Sequence, residues 1–466
     1  MLGMGNMRQW LMNISLVGGW FPAAAFAVIA VLSVTLLVSA AVSKRDGRIL
    51  ATVLPIGVAA VSGMVGYVVA WLLSDVFVVF GVGLGSRVMS WVAAGFAIAG
   101  FAIVHIVLSR GMMRVAAAIL TVFAILAAAI GIDQSYGEYA TIGSLFGEDS
   151  YSQADLTGLA KRKDLITVAQ CRKQAANGTI RNIPANGTVN KIDIPATKSQ
   201  FEARKALVYL PPAALADSKR KPALPVVLML SGQPGSPGRV FQAGGIQTMM
   251  DGYAKTHDGL APIVIAADQL GADSHNTLCV DSKVYGNALT YLTQDVVDWV
   301  KTNLPAAQDA KDWAIAGFSQ GATCSLQIGV NHPDLFGTMI PTDSEIKPTN
   351  GSRQEMIDRF FDGDTTAYEN QVPVNAIRNH APTHQMLIIG AGEKDTTSIR
   401  NVKTIAPVAA KAGMRVAAVE SSGNAHDWHA VQDVLRYGLA VFGHDTGLDG
   451  ANPNLSDYPN LKRITI

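Results

Sequence analysis

The chain has few charged residues and almost no net charge. Only 16% of its 466 residues are Asp, Glu, Lys or Arg, and 37 basic residues against 36 acidic ones leave a formal net charge of +1. A nucleic-acid-binding surface needs a concentrated excess of Lys and Arg. We therefore expect no nucleic-acid partner.

Motifs for metal ions and phosphate groups are also lacking. No cluster of His, Cys, Asp or Glu has the spacing of a metal site, and no glycine-rich loop has the pattern that binds phosphates. We therefore expect chemistry that side chains carry out alone, with no metal and no cofactor.

Cysteine is scarce, with only Cys171, Cys279 and Cys324 in the chain. Cys324 lies on a predicted helix that packs on a sheet, which predicts a buried free thiol. Cys171 and Cys279 lie in loop-like sequence, and in an exported protein they are candidates for a disulfide. The alternative is two unpaired thiols, because a sequence does not give their separation.

Long apolar runs, in contrast, are abundant. The chain is 49% hydrophobic, with a mean hydropathy of +0.25. Four runs in its first third contain no Lys, Arg, Asp or Glu: Trp20–Val42, Leu50–Leu73, Val88–Leu108 and Val115–Ile132. Each is close to the roughly 20 residues that cross a bilayer as a helix. The sequence predicts a four-span membrane anchor over residues 1–132.

Basic residues between these runs predict the orientation. Lys44, Arg45 and Arg48 lie between the first and second runs, and Arg110 and Arg114 between the third and fourth. Loops rich in Lys and Arg stay on the cytoplasmic side. The N-terminus and everything after the fourth span are then expected outside the cytoplasm.

A Gly-x-Ser-x-Gly sequence, Gly317 to Gly321, is the strongest catalytic motif. It follows a short apolar run and precedes the helix-like segment Ala322–Val330. This layout is typical of a sharp strand-to-helix turn that exposes a nucleophilic serine, and the glycines leave room for so tight a turn. Ser319 is the predicted nucleophile; the alternative is a glycine-rich turn that happens to contain a serine.

The acid and the base are predicted downstream, in the order serine, acid, histidine. The buried strand Gln385–Gly390 leads to Asp395, the first choice for the acid, with Glu393 as the alternative. A carboxylate there orients the histidine ring. His426, on a loop after a later strand, is the predicted base in preference to His429.

Two backbone amides are predicted to form the oxyanion hole. One is the N–H of Gln320, directly after the nucleophile. The strand Leu224–Leu230 leads into a Ser-Gly-Gln-Pro-Gly loop, and Pro234 has no N–H to donate. Gln233 is therefore the predicted second donor, unless the loop is only a turn.

These motifs resemble the esterase D group of α/β-hydrolases, which includes S-formylglutathione hydrolases, feruloyl and enterochelin esterases, and mycolyltransferases. The resemblance runs from about Asn186 to Leu439. It rests on LVYLPP (207–212), VVLMLSGQPGSP (226–237), AADQLG (266–271), GNALTYLTQDVVDWV (286–300), GFSQGA and HDW (426–428). It implies an α/β-hydrolase fold, a mostly parallel sheet with helices on both faces, after the transmembrane region. Many members have His-Gly where this chain has Ser231-Gly232, and mycolyltransferases use a glutamate as the acid.

Together these features predict four segments. They are the anchor at 1–132, a juxtamembrane connector at 133–185, a catalytic domain at 186–445 and a loose tail at 446–466. The predicted function is that of a membrane-anchored extracytoplasmic serine esterase acting on acyl esters of an envelope lipid or glycolipid. The alternatives are an acyltransferase that passes the acyl group to a sugar hydroxyl, a silent hydrolase fold that binds glycans or partners, and a transport module with an accessory hydrolase.

Overall fold

The structure is a computed structural model that describes residues 2–42, 48–77, 83–149, 151–177, 182–218 and 220–466. The chain divides into two compact units, Met1–Asp149 and Ser150–Ile466. This division falls within the predicted connector, residues 133–185. Lys44 and Arg45, which contribute to the predicted orientation, lie outside the described residues.

The first unit consists of helices. They are α1 (Leu2–Met12), α2 (Trp20–Ala41), α3 (Arg48–Trp71), α4 (Gly85–Leu108), α5 (Met112–Tyr136) and α6 (Ile142–Leu145), and α3 continues as a π-helical turn over Leu72–Val76. By length and composition, α2 to α5 can each cross a membrane, with α3 counted from Thr52 to Val76. The predicted four long apolar helices are confirmed.

Small residues let these long helices pack closely. A Cβ on Gly131 of α5 would clash with the Trp91 ring on α4, and one on Gly66 of α3 would lie 2.7 Å from the Phe96 ring. Many large apolar side chains point outward instead, among them Val61, Met64 and Ile125. An apolar exterior with small residues between helices is typical of membrane-spanning bundles.

The second unit is built on a ten-stranded sheet. Its strands, in the spatial order β1-β3-β4-β7-β6-β10-β11-β12-β13-β14, are β1 (Ser152–Gln153), β3 (Thr188–Ile192), β4 (Ala206–Leu210), β7 (Ile263–Ala266), β6 (Val226–Leu230), β10 (Trp313–Phe318), β11 (Thr338–Thr342), β12 (Met386–Gly392), β13 (Arg415–Ser421) and β14 (Leu461–Arg463). The pairs β2 (Leu165–Ile166) with β5 (Lys221–Pro222) and β8 (Asp281–Ser282) with β9 (Gly286–Asn287) form two small sheets.

The six strands from β7 to β13 are parallel, and the strands around them are mixed. β3 and β4 pair antiparallel, as the alternating sequence predicts, and β4 pairs antiparallel with β7. β10, which leads to Ser319, lies between β6 and β11. The carboxyl ends of parallel strands meet at one sheet edge, which is where α/β proteins place their sites.

Helices cover both faces of this sheet. In chain order they are α7 (Val168–Ala176), α8 (Pro212–Leu215), α9 (Pro237–Ala243), α10 (Ile246–Thr256), α11 (Ala288–Thr290), α12 (Val296–Asn303), α13 (Gln320–Asn331), α14 (Arg353–Phe360), α15 (Thr365–Glu369), α16 (Pro373–Asn379), α17 (Thr396–Lys411) and α18 (Trp428–Asp445). One core contains apolar residues of α12, α13 and α17, and the other those of α9, α10 and α18.

The apolar strands are buried on both sides. In β6, Val226, Leu228 and Leu230 belong to the first core, while Val227 and Met229 belong to the second. A continuous apolar run is the expected sequence of a strand covered on both faces. The predicted fold, a mostly parallel sheet between helix layers after four apolar helices, is confirmed.

Two predicted segments differ from the structure. Residues 446–466 are not a loose tail, since β14 pairs antiparallel with β13 and the side chains of Leu461 and Ile464 are buried. The connector also does not end at residue 185, because β1 pairs with β3 within the main sheet. Both additions were missed because a short edge strand leaves little local pattern in the sequence.

Candidate active site

Ser319 lies on the tight turn between β10 and α13. Its backbone has φ 56° and ψ −117°, a conformation that is costly for a residue with a side chain, and its N–H donates to the carbonyl of Thr342 over 3.0 Å. A Cβ on Gly317 would meet the backbone of Gly321, and a Cβ on Gly321 would meet the carbonyl of Ser231. The spacing of the two glycines thus has a steric cause.

The structure brings Ser319, His426 and Asp395 together. Nε2 of His426 lies 2.8 Å from Oγ of Ser319, and Nδ1 lies 2.7 Å from Oδ2 of Asp395. An ionised carboxylate only accepts hydrogen bonds, so Nδ1 carries the proton and Nε2 accepts from the serine hydroxyl. The other oxygen of Asp395 accepts from the N–H of Ser398 over 3.0 Å and caps α17.

Glu393, the alternative acid, lies elsewhere. Its two carboxylate oxygens accept from the N–H of Gly423 over 2.7 Å and from Nζ of Lys462 over 2.9 Å. The hydrogen bond from Lys462 lowers the pKa of Glu393. His429 lies on α18, one residue after its start. Of the two candidate bases, His426 contacts Ser319. Of the two candidate acids, Asp395 contacts His426.

The pKa values of the pair have opposite net shifts. Burial raises the pKa of Asp395, but the hydrogen bond and charge of His426 and the N–H of Ser398 lower it below its ordinary value. Burial lowers the pKa of His426, but the hydrogen bond to Asp395 and the charge of that carboxylate raise it overall. The site therefore holds Asp395 as a carboxylate beside the His426 ring, which accepts a proton readily.

One aromatic ring packs beside the imidazole, and a second ring packs against the first. The Phe318 ring lies 5.0 Å from that of His426 and 5.0 Å from that of Trp428, measured between centroids. Trp428 is buried and opens α18 directly after the loop that carries His426. Packing of this kind limits the motion of the ring between its two hydrogen-bond partners.

The predicted oxyanion donors lie on two segments beside the serine. Gln320 opens α13, so its N–H is one of those that an α-helix leaves without an intrahelical acceptor. Gly232 lies against the nucleophile, since a Cβ there would be 3.5 Å from Cβ of Ser319. Gln233 follows in the same loop, and its side chain donates to the carbonyl of Ser274 over 3.2 Å.

Gln269 connects these two segments, and the sequence analysis assigns it no role. Its side chain is fully buried and donates to the carbonyl of Ser231 over 2.6 Å and to Oε1 of Gln320 over 3.2 Å. It thereby links the loop before α9 to the first residue of α13. Its place in the AADQLG segment, just after β7, was the available signal.

Two further carboxyl groups near the serine were also missed. Asp343 directly follows β11 and is fully buried. Glu345 lies two residues on; its N–H donates to Oγ1 of Thr323 over 3.0 Å, and burial raises its pKa to about 7. Asp343, like Asp395, stands directly after a buried strand, and that position was the signal in the sequence.

Asp343 also belongs to a close group of possible metal ligands. Ligand atoms of Asp343, Asp395 and His426 lie within 4.8 Å of one another. Among the described residues, this is the one group of three possible metal ligands that lie so close together. Both ring nitrogens of His426 already have hydrogen-bond partners. These bonds account for the closeness of His426 to Asp395, while the N–H of Gly392 holds the carboxyl group of Asp343 nearby.

The predicted Cys171–Cys279 disulfide is wrong. Cys279 is bonded to Cys324, and Cys171 is a buried free thiol, so the expected free thiol at Cys324 is wrong as well. Cys324 lies on α13 five residues after Ser319, where it faces the loop after β7. The bond therefore ties the nucleophile helix to the loop that also carries Gln269.

Comparisons with known proteins agree with this fold. Residues 198–438 match the family model Esterase, described as "Putative esterase". An uncharacterised protein of Corynebacterium glutamicum is 32% identical over 333 residues, which are 70% of this chain and 74% of that protein.

Two solved structures are similar to part of the chain. An S-formylglutathione hydrolase from Agrobacterium tumefaciens is 16% identical, with a TM-score of 0.46, and the match covers 57% of this chain and 98% of that one. A ferulic acid esterase from Anaeromyces mucronatus is 19% identical, with a TM-score of 0.42, and the match covers 55% and 90%.

Proposed function

Because the chain belongs to the esterase family, we propose that Ser319, His426 and Asp395 are the catalytic triad of a serine esterase. The observation that supports this most strongly is the unbroken hydrogen-bond chain from Asp395 through His426 to Oγ of Ser319. Such a chain activates a hydroxyl that is otherwise a weak nucleophile.

In the first half of the proposed reaction, Ser319 attacks the ester carbonyl. Nε2 of His426 takes the hydroxyl proton as Oγ bonds to the carbonyl carbon, and Asp395 stabilises the imidazolium that forms. The N–H groups of Gln320 and Gln233 bind the developing oxyanion. The imidazolium then returns the proton to the leaving alcohol as the C–O bond breaks, which leaves an acyl-serine.

In the second half, water replaces the alcohol. His426 takes a proton from water as its oxygen attacks the acyl carbon, and the same amides hold the second oxyanion. Collapse of this intermediate releases the carboxylic acid and returns the proton to Ser319. No group outside the described site is required for this cycle.

The substrate is proposed to be an acyl ester of an envelope lipid or glycolipid. The four helices α2 to α5 are long and apolar enough to cross a membrane, and an enzyme held there encounters lipid esters at high local concentration. Arg110, between α4 and α5, and Arg114, in the first turn of α5, favour a cytoplasmic position for that loop. The catalytic unit then acts outside the cytoplasm.

A fluorophosphonate probe tests the nucleophile. The wild-type protein should be labelled and should hydrolyse a p-nitrophenyl ester, and Ser319→Ala should lose both properties. Ser274→Ala is the matched control, because this serine is exposed on a loop near the site. Labelling of Ser319→Ala at another serine would refute the assignment.

Product analysis tests whether water is the acceptor. The purified protein is incubated with a long-chain acyl ester, with and without a free sugar, and the products are separated by mass. Release of free fatty acid at the same rate in both reactions supports hydrolysis. An acylated sugar formed at the expense of the free acid would instead show an acyltransferase.

A further inference from the structure

Asp343 occupies an unusual position beside the triad. It follows β11 directly, as Asp395 follows the adjacent strand β12 by three residues, so both carboxyl groups stand at the same sheet edge. One oxygen accepts the N–H of Gly392 over 2.9 Å, and its own N–H donates to the carbonyl of Gly390. The backbone of Asp343 has φ 56°, a strained conformation that holds the side chain in the site.

The second oxygen of Asp343 is buried and unused. Oδ2 has no hydrogen-bond partner among the described residues, and a ligand atom of this carboxyl lies within 4.8 Å of those of both Asp395 and His426. Buried polar atoms are normally satisfied, so an unpaired carboxyl oxygen needs an explanation. One explanation is that Oδ2 gains a hydrogen-bond partner when the side chains of the site are arranged differently.

The other nearby carboxyl group cannot take this position. Asp427 is buried too, but its two oxygens accept the N–H groups of Ala425 and Ala430 over 2.8 and 3.0 Å and cap α18. Asp343 uses only one oxygen in this way. Among the three aspartates around His426, it alone combines proximity with a free acceptor in the described structure.

Burial, together with the charge of Asp395, keeps the carboxyl group of Asp343 protonated while Asp395 is present. Burial raises the pKa of Asp343 well above its ordinary range, and the negative charge of Asp395 raises it further, whereas His426 and the N–H of Gly392 oppose this. Two carboxyl groups so close share one proton. Removing the charge of Asp395 takes away one of the causes that raise the pKa of Asp343, so Asp343 ionises at a lower pH in that variant.

We propose that Asp343 is a second orienting carboxyl group of the triad, a positioning residue that holds the imidazole of His426 when Asp395 does not. This inference rests on the proposed function. Asp343 then accepts the Nδ1–H of His426 through Oδ2, after a side-chain movement of about one to two ångströms, since an N–H···O bond is about 2.9 Å long. The site contains two alternative acids on adjacent strands.

The test is a double-mutant cycle on ester hydrolysis. Asp395→Ser removes the carboxylate but keeps an oxygen that caps α17, and Asp343→Asn keeps an acceptor for the N–H of Gly392. We expect Asp395→Ser to lower kcat by roughly 10²-fold and the double variant by roughly 10⁴-fold, the loss typical of a triad without its acid. In the wild-type background, Asp343→Asn should lower kcat by no more than roughly threefold, because coupled residues are non-additive.

The pH profile separates this role from a purely structural one. In Asp395→Ser, kcat/KM should rise with pH in two steps. One step is the loss of the proton from His426, and the additional limb is the ionisation of Asp343. The double variant should lose that additional limb. Thermal melting of each variant checks that it is folded. The shape of the pH profile depends only on the relative rates at different pH values, so it does not require equal amounts of folded protein.

Two results would overturn the proposal. One is equal kcat values and pH profiles for Asp395→Ser and the double variant. The other is the same fold-loss from Asp343→Asn in both backgrounds, which would indicate an additive structural effect. Ser319→Ala is included in the series: if it keeps full activity, the proposed function fails, and if it is inactive, the cycle reports on Asp343 alone.

Discussion

The pKa of His426 determines the pH range in which Ser319 can be activated. Burial lowers this pKa, but the hydrogen bond to Asp395 and the negative charge of that carboxylate raise it above its ordinary value. The ring accepts a proton only when it is neutral, so activity is lost as the pH falls through this pKa. Strong coupling to a buried carboxylate is the cause of the shift.

At this scale we predict an acidic limb of kcat/KM with a midpoint above about 6.5, the ordinary value for histidine. The measurement is hydrolysis of a neutral short-chain p-nitrophenyl ester between pH 5 and 9. Glu345→Gln is the control, because burial raises the pKa of Glu345 to about 7. An acidic limb that disappears in this variant, or a midpoint below the ordinary value, would contradict the assignment to His426.

Helix α13 carries the nucleophile at its start and Cys324 in its second turn. The bond to Cys279 closes a separation of 45 residues, and the chain-entropy model gives about 4 kcal/mol of stabilisation for a loop of that size. We predict that the Cys279→Ser, Cys324→Ser double variant loses stability of that order in denaturant unfolding. Cys171→Ser removes no disulfide and should lose less, about 1–3 kcal/mol for burying a hydroxyl group in the core.

Peptide mapping without reductant checks the pairing itself. A linked peptide pair containing Cys279 and Cys324 is expected from protein isolated from an oxidising compartment. Recovery of a Cys171–Cys279 pair would restore the pairing that the sequence suggests and would contradict the structure.

Strand β14 is the second element with a testable role. It extends the main sheet beyond β13, with Leu461 buried and Arg463 exposed. Leu461→Ala should lower the free energy of unfolding by about 2–3 kcal/mol, near the lower end for buried leucines because the site is at a sheet edge. Arg463→Ala is the matched control, and equal melting temperatures for the two variants would mean that the segment is not packed.

At the scale of the whole molecule, membrane orientation determines which esters the enzyme reaches. Cysteines introduced at Ser109, between α4 and α5, and at Thr157, in the second unit, test it in a Cys171→Ser background. The positive-inside rule predicts that in intact cells an impermeant maleimide labels position 157 and not position 109. The reverse pattern would place the catalytic unit in the cytoplasm and remove the case for an envelope substrate.

Local sequence pattern determined much of this protein. Four uncharged runs of about 20 residues predict spanning helices because a bilayer excludes charge. A glycine-flanked serine between an apolar strand and a helix predicts the turn at Ser319, because the steric requirement acts within five residues. Asp395 and His426 were found because each follows a strand on a loop, although the choice between Asp395 and Glu393 stayed open.

Only the tertiary structure decided which distant residues meet. Cys279 bonds to Cys324 rather than to Cys171, and Gln269 joins Ser231 to Gln320, because loops after different strands converge at one sheet edge. Asp343 reaches the triad for the same reason, since β11 and β12 are neighbours in the sheet although 43 residues separate the end of β11 at 342 from the start of β12 at 386. Contacts of this kind depend on the order of strands in space, which no local pattern encodes.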